Sequence, residues 1–201
     1  ERDGVHIFDL VKTKHGLDKA AAFVAATASQ GGKILFVGTK RQASETVKAA
    51  AIRAGMPYMT LRWMAGLLTN FGQLSKSIRK LNDLKAKRSA GELKKYTKRE
   101  QLLVDREIIK LERFLGGVFD MDRLPQALFV VDTHREEVAV KEAKRMGIPV
   151  VGMVDTNGDP DLVDYVIGTN DDAARAIELV VTKIAEVIVN SKTQETMTNE
   201  D

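Results

Sequence analysis

Residues 62–115 carry a hydrophobic period that no β-sheet can absorb. After the segment RWMAGLLTNF (62–71), Phe71, Leu74, Ile78 and Leu81 recur at steps of three and four, and Val104, Ile108, Leu111 and Leu115 repeat the pattern. Each set is a one-sided apolar stripe on a helix, wide enough for a single partner. Gly91 stops the first helix, Thr97-Lys98-Arg99-Glu100 has the spacing of a capping box opening the second, and Gly116-Gly117 closes it. Two similar helices joined by a short polar link predict an antiparallel α-helical (coiled-coil) hairpin over 71–115. About 18 residues per arm at 1.5 Å each makes a rod of roughly 27 Å. At its root Trp63, the only tryptophan, reads as a packed hinge, Gly66 as part of a turn, Asn70 as the cap of the first helix and Phe71 as the start of its seam.

Charge gives the rod a direction. Lys76, Arg79, Lys80, Lys85, Lys87, Arg88, Lys94, Lys95, Lys98 and Arg99 face only Asp83 and Glu92 within 76–99, a local balance of +8 in a chain of net +3. A solvated helix face normally mixes signs; this imbalance favours a polyanion as partner. Past Leu84 the seam positions fall to Lys85, Arg88, Thr97 and Gln101, so the outer end is expected to lack a core and to be ordered by its partner. From Asp155 onward eleven acids meet only Arg175, Lys183 and Lys192. That end should repel nucleic acid while the rod attracts it.

The remainder alternates strand and helix. Residues 5–10 (VHIFDL) read as a first strand and 17–30 as an alanine-rich helix stopped by Gly31-Gly32. A buried-strand run at 33–37 is followed by a capping-box spacing at Thr39–Gln42, a helix to Gly55, and Pro57. The same punctuation returns at 128–131, Thr133–Glu136, Gly147 and Pro149, with 150–154 and 165–167 as further strands. These crossovers predict an α/β, flavodoxin-like doubly wound, five-stranded parallel sheet, formed by 1–70 and 116–190 around the inserted hairpin. A closing helix over 171–190 shows Ala174, Ile177, Val181, Ile184 and Ile188 on one face, and 191–201 reads as a disordered polar tail. The abrupt start at Glu1 suggests a missing preceding segment. No apolar run is long enough to span a membrane. With no cysteine there is no disulfide or thiolate metal site, which fits a reducing compartment.

Ligands of such sheets bind at the carboxyl ends of the strands. Gly38-Thr39-Lys40-Arg41 falls there, although it matches neither a P-loop nor GxGxxG. Lys40 and Arg41 in a first helical turn oppose the helix dipole unless an anion covers them, and sequence alone does not separate that reading from a solvated pair. Asp9, Asp132 and Asp155 each follow a strand signal, with Asp159 and Asp161 nearby. A metal-dependent phosphotransfer enzyme or receiver-like switch could be built on them, but Asp-Thr and Asn-Gly-Asp-Pro segments usually serve turns. His6, His15 and His134 lack ligand spacing, and there is no serine elbow. No catalytic residue, metal, cofactor or small-molecule substrate is therefore assigned. A protein–protein adaptor binding through the rod, with little salt dependence, is a third reading.

The segments LFVGTKRQA (35–43), RWMAGLLTNF (62–71), KLERFLGGVFDM (110–121), PQALFVVDTHREEVAVKEAKRMGIPV (125–150) and VDTNGDPDLVDYVIGTNDDAARAI (154–177) resemble, in order, the bacterial ribosomal protein S2 family. Met64-Ala65 stands where Leu-Gly is usual, and the family's GxHFGH-like and Trp-Asn-Pro elements are absent before Glu1. The resemblance implies a flavodoxin-like fold with an inserted hairpin and a structural role in the cytoplasmic ribosome. It implies binding to small-subunit rRNA at the head–body junction, late joining of the subunit, contact with neighbouring small-subunit proteins, and help in seating ribosomal protein S1. Carried onto this chain, the RNA-facing residues are Lys40, Arg41, Arg62, Lys76, Arg79, Lys80, Lys87, Arg88, Lys94, Lys95, Lys98 and Arg99.

Overall fold

Apolar residues alternate between two faces of one sheet and build two cores, which fixes where everything else can attach. The structure, a computed structural model, describes residues 6–198, with side chains described as far as Thr193. Five parallel strands, β1 (Ile34–Val37), β2 (Tyr58–Met59), β3 (Ala127–Val131), β4 (Val150–Val154) and β5 (Tyr165–Gly168), lie in the order β2-β1-β3-β4-β5. That is the doubly wound order expected of a flavodoxin-like sheet.

Ile34, Phe36, Ala127, Phe129, Val131, Val151, Met153 and Ile167 face one core. Helices α1 (Leu10–Ser29), α2 (Ser44–Ala54) and α6 (Ala174–Thr198) cover it. Leu35, Val37, Leu128, Val130 and Val150 face the other, as the two-residue period of a strand requires. There α5 (Glu137–Arg145) packs beside Trp63, Leu67 and Leu68. The same cluster continues into Leu74, Ile78 and Leu81 of α3 (Phe71–Ser89) and Ile108 and Leu115 of α4 (Lys98–Leu115). The inserted helices are thus rooted in the core of the domain.

Several expectations are corrected. Residues 6–9 form no strand (Val5 lies outside the described residues); Asp9 instead caps α1, its Oδ1 accepting from the amides of Val11 and Lys12. The apolar run is too short to add to the sheet, and Ile7, Leu10 and Val11 remain exposed. The helix read as 17–30 therefore opens seven residues earlier and includes Gly16, where a Cβ would stand 2.4 Å from the Val166 carbonyl oxygen. Neither Thr39 nor Thr133 caps a helix: α2 and α5 begin later, at Ser44 and Glu137. Thr39 uses both its amide and its hydroxyl to bond the buried Glu136 carboxylate, tying the β1–α2 turn to the β3–α5 turn, while the Thr133 hydroxyl is buried with no hydrogen-bond partner among the described residues. Finally, α6 does not stop at Asn190. With no Gly or Pro to break it, it continues to Thr198, so the polar tail is helical over most of its length; residues 199–201 lie outside the described residues. Ala174, expected on the buried face of α6, is exposed, whereas Ile177, Val181, Ile184 and Ile188 are fully buried.

Candidate nucleic-acid interface

The hairpin leaves the sheet through residues 60–70, and a single carboxylate organises that exit. Glu142 of α5 is buried, and every partner it has is a donor. Its Oε1 accepts from Trp63 Nε1 at 3.1 Å and the Gly66 amide at 2.7 Å. Its Oε2 accepts from the amides of Leu68 and Thr69 and from the Thr69 hydroxyl. Burial alone would raise the Glu142 pKa, but these bonds outweigh it and hold the carboxyl below the usual range. Gly66 takes φ +89°, a left-handed turn that L side chains rarely adopt. Asn70 occupies the N-cap position of α3 without bonding a helix amide through its side chain, and Phe71 is half-buried against the shared core.

From this root α3 and α4 pack on each other along the two expected stripes, with Leu74, Ile78, Leu81, Ile108 and Leu115 buried and Phe71, Val104 and Leu111 partly so. Gly91 turns the chain at φ +71°, a 3-10 turn (Glu92–Lys95) follows, and the capping box at Thr97 is reciprocal: Thr97 Oγ1 accepts from the Glu100 amide and Glu100 returns to the Thr97 amide. Leu93 is buried at the outer end, an anchor that its isolation among Glu and Lys had hidden.

Over 71–115 the chain has thirteen Lys and Arg against six Asp and Glu, a balance of +7. Three acids of α4 turn inward to α3: Glu107 to Lys80, Glu112 to Lys85 at 2.7 Å, and Asp105 to Arg88 at 3.3 Å. Lys76, Arg79, Lys87, Lys94, Lys98 and Arg99 are exposed and make no ion pair among the described residues, while Lys95 lies over the Tyr96 ring. Most cations toward the tip are therefore left uncompensated by ion pairs among the described residues. Arg41 and Arg62 are exposed as well.

Lys40 differs from these cations in being turned inward onto carboxylates of the chain itself. Its ammonium sits 3.1 Å from Asp132, 2.7 Å from Asp171 and 2.6 Å from Asp172, and its side chain is only 12% exposed. Burial works to lower its pKa, yet the bonds to Asp171, Asp172 and Asp132 win and raise it. Asp171 is itself pushed up, by burial and by the charges of Asp132 and Asp155, against the pull of Lys40. One cation is shared by an excess of carboxylates. The acidic set expected for metal chemistry is not assembled as read: Asp9 is spent capping α1, and Asp132, at φ +65°, bonds the Arg135 amide. Asp155, Asp171 and Asp172 do bring one oxygen each within 4.8 Å of one another, with the Lys40 ammonium against two of them. Asp171 and Asp172 escaped the sequence reading because they look like the polar start of a helix.

Comparison with known proteins points to one family. The profile of the family described as Ribosomal protein S2 matches residues 1–191. The chain is 54% identical over 191 residues to the small ribosomal subunit protein uS2 of Roseiflexus sp. (strain RS-1), covering 95% of this chain and 73% of that one. It is 51% identical to the uS2 protein of Coprothermobacter proteolyticus, over 96% of this chain and 72% of the relative. To that of Chlorobium phaeovibrioides it is 50% identical, over 96% and 75%.

Proposed function

The chain belongs to the ribosomal protein S2 family, and from that premise we propose that its inserted hairpin is the arm that grips small-subunit rRNA. The family's role is structural and non-enzymatic. The proposed phosphate contacts are Arg41, Arg62, Lys76, Arg79, Lys87, Lys94, Lys95, Lys98 and Arg99. Lys80 and Arg88 add to them by exchanging partners: exposed ion pairs are worth only about 0–1 kcal/mol, so a phosphate competes readily with Glu107 or Asp105. The observation that carries this reading is the one-sided pairing within the hairpin, which spends the acids of α4 inside and leaves the tip cations outside.

Binding of this kind neutralises phosphates and reads the shape of an A-form backbone rather than base edges. The sheet, through Glu142 and the shared core, holds the arm at one angle. On the family resemblance, the contact lies at the head–body junction of the subunit in the cytoplasmic ribosome. There the protein joins late, touches neighbouring small-subunit proteins and helps seat ribosomal protein S1. Among the described residues, no helix is long and apolar enough to cross a membrane.

Co-sedimentation of the chain with small subunits that lack it tests the proposal. Pelleting at low salt and release at high salt are expected. Failure to pellet at any salt, or pelleting that salt does not affect, would overturn it.

A further inference from the structure

The two helices of the hairpin present unlike faces to solvent. Among the described residues, α3 exposes no large apolar side chain, whereas α4 exposes Leu102 (49%), Leu103 (56%), Ile109 (61%) and Phe114 (37%). At 100° per residue Leu102 and Ile109 lie almost opposite the seam at Val104, Ile108, Leu111 and Leu115, and Leu103 and Phe114 lie about a quarter turn from it on the other flank. Arg106, Lys110 and Arg113 are interleaved with them and exposed, and none forms an ion pair among the described residues. Asp105, Glu107 and Glu112 are absent from that side because all three turn to α3. The outward face of α4 is therefore apolar and cationic with no carboxylate. From Leu102 to Phe114 it runs about 18 Å, roughly three turns of helix. At the root it opens into a groove of about 300 Å³ lined by Met64, Leu67, Leu74, Lys110, Leu111 and Phe114.

RNA alone would be a poor cover for this surface. Phosphates would satisfy the three cations and strand the aliphatic groups of Leu102, Leu103 and Ile109, which cannot stack on bases as aromatic rings do. A helix that lays Asp and Glu along the ridge of Arg106, Lys110 and Arg113, with apolar residues to either side for Leu102 and Ile109 and for Leu103 and Phe114, satisfies both sets at once. We propose that the outer face of α4 docks an acidic amphipathic helix of a neighbouring protein on the small subunit, while α3 and the tip hold RNA. The inference rests on the small-subunit reading above, and the two can fail separately.

The test uses the full chain with Leu102→Gln and Ile109→Gln together. Ile109 is mostly exposed and Leu102 half-exposed, and neither belongs to the seam, so the melting temperature should hold. Affinity is measured for protein-free small-subunit rRNA and for salt-stripped subunit particles that lack this protein but retain their other proteins. The expected result is unchanged affinity for naked RNA and at least a tenfold loss on the particles. A photo-crosslinker at position 109 should join a different small-subunit protein through an acidic helical segment, and reversing an acid there should weaken binding in the same way. Equal affinity of variant and wild type for the particles would overturn the proposal, as would crosslinks to RNA alone or to a second copy of this chain. If the wild type itself fails to bind the particles, the ribosomal reading falls and takes this one with it.

Discussion

Glu142→Gln changes almost no volume and should still loosen the root of the hairpin. All five partners of the carboxylate are donors: Trp63 Nε1, the amides of Gly66, Leu68 and Thr69, and the Thr69 hydroxyl. A carboxamide keeps one oxygen and turns an NH2 group toward the donors that faced the other. On either flip at least one backbone amide loses its acceptor and meets a competing N–H. Bonds to charged groups contribute about 1.5–3 kcal/mol each, and an unsatisfied buried donor costs about 1–3 kcal/mol, so a loss of about 2–4 kcal/mol is expected. Glu142→Ala should approach or exceed the upper end, because it strands all of these donors. Urea unfolding followed through Trp63, the chain's sole tryptophan, reads both the global midpoint and the bonded ring directly. Amide exchange at residues 66–69 should accelerate in step. The pH dependence has a definite sign. Because the folded pKa of Glu142 is depressed, its stabilisation is present above the unfolded value of about 4.3 and is lost as pH falls through the lower folded value. The gap between wild type and Gln should therefore close in acid. A Glu142→Gln protein within about 0.5 kcal/mol of wild type at neutral pH would refute the idea that this carboxylate organises the root.

Lys40→Met should destabilise by about 3–5 kcal/mol, since Asp132, Asp171 and Asp172 lose their shared cation, while binding to rRNA keeps its salt dependence. That penalty should shrink as pH falls from 7 toward 4. Asp171, already pushed up by burial and by the charges of Asp132 and Asp155, loses the pull of Lys40 and rises further, so its protonation relieves the repulsion; unfolding curves at the two pH values check it. Gly16→Ala should cost about 1–3 kcal/mol by forcing α1 away from the Val166 carbonyl, read as a drop in the urea midpoint. Thr97→Ala should cost about 0.5–2 kcal/mol, concentrated in faster amide exchange over the first turns of α4.

The doubly wound sheet was legible because its strands are bracketed by Gly, Pro and cap residues, and the stripes of α3 and α4 because their period is helical. What escaped is the part that depends on distance across the fold. Glu142, Glu136, Asp171 and Asp172 read as surface acids on helix starts and faces, since nothing in the one-dimensional pattern says that Trp63, Thr39 or Lys40 will meet them. Thr39 and Thr133 mimic capping boxes because the spacing is right, but Thr39 spends its amide and hydroxyl on Glu136, and α5 begins beyond Thr133, at Glu137. The excess of cations over 76–99 is also offset in part by the acids of α4 that lie beyond it in sequence, three of which pair with Lys80, Lys85 and Arg88. Residues 5–10 have the β-leaning composition of a strand, yet the Asp9 cap starts a helix at Leu10 instead.

The central claim is that the tip of the hairpin neutralises phosphates. It is tested most directly by the slope of log affinity against log salt for small-subunit rRNA, compared between the wild type and a variant with Lys94, Lys95, Lys98 and Arg99 replaced by Ala. Each phosphate contact contributes about 0.7–0.9 to that slope. The account expects the variant's slope to flatten by about that amount for each contact removed, with its melting temperature little changed. A variant that binds more weakly with an unchanged slope, or as tightly as the wild type, would put the RNA elsewhere on the molecule and contradict the account.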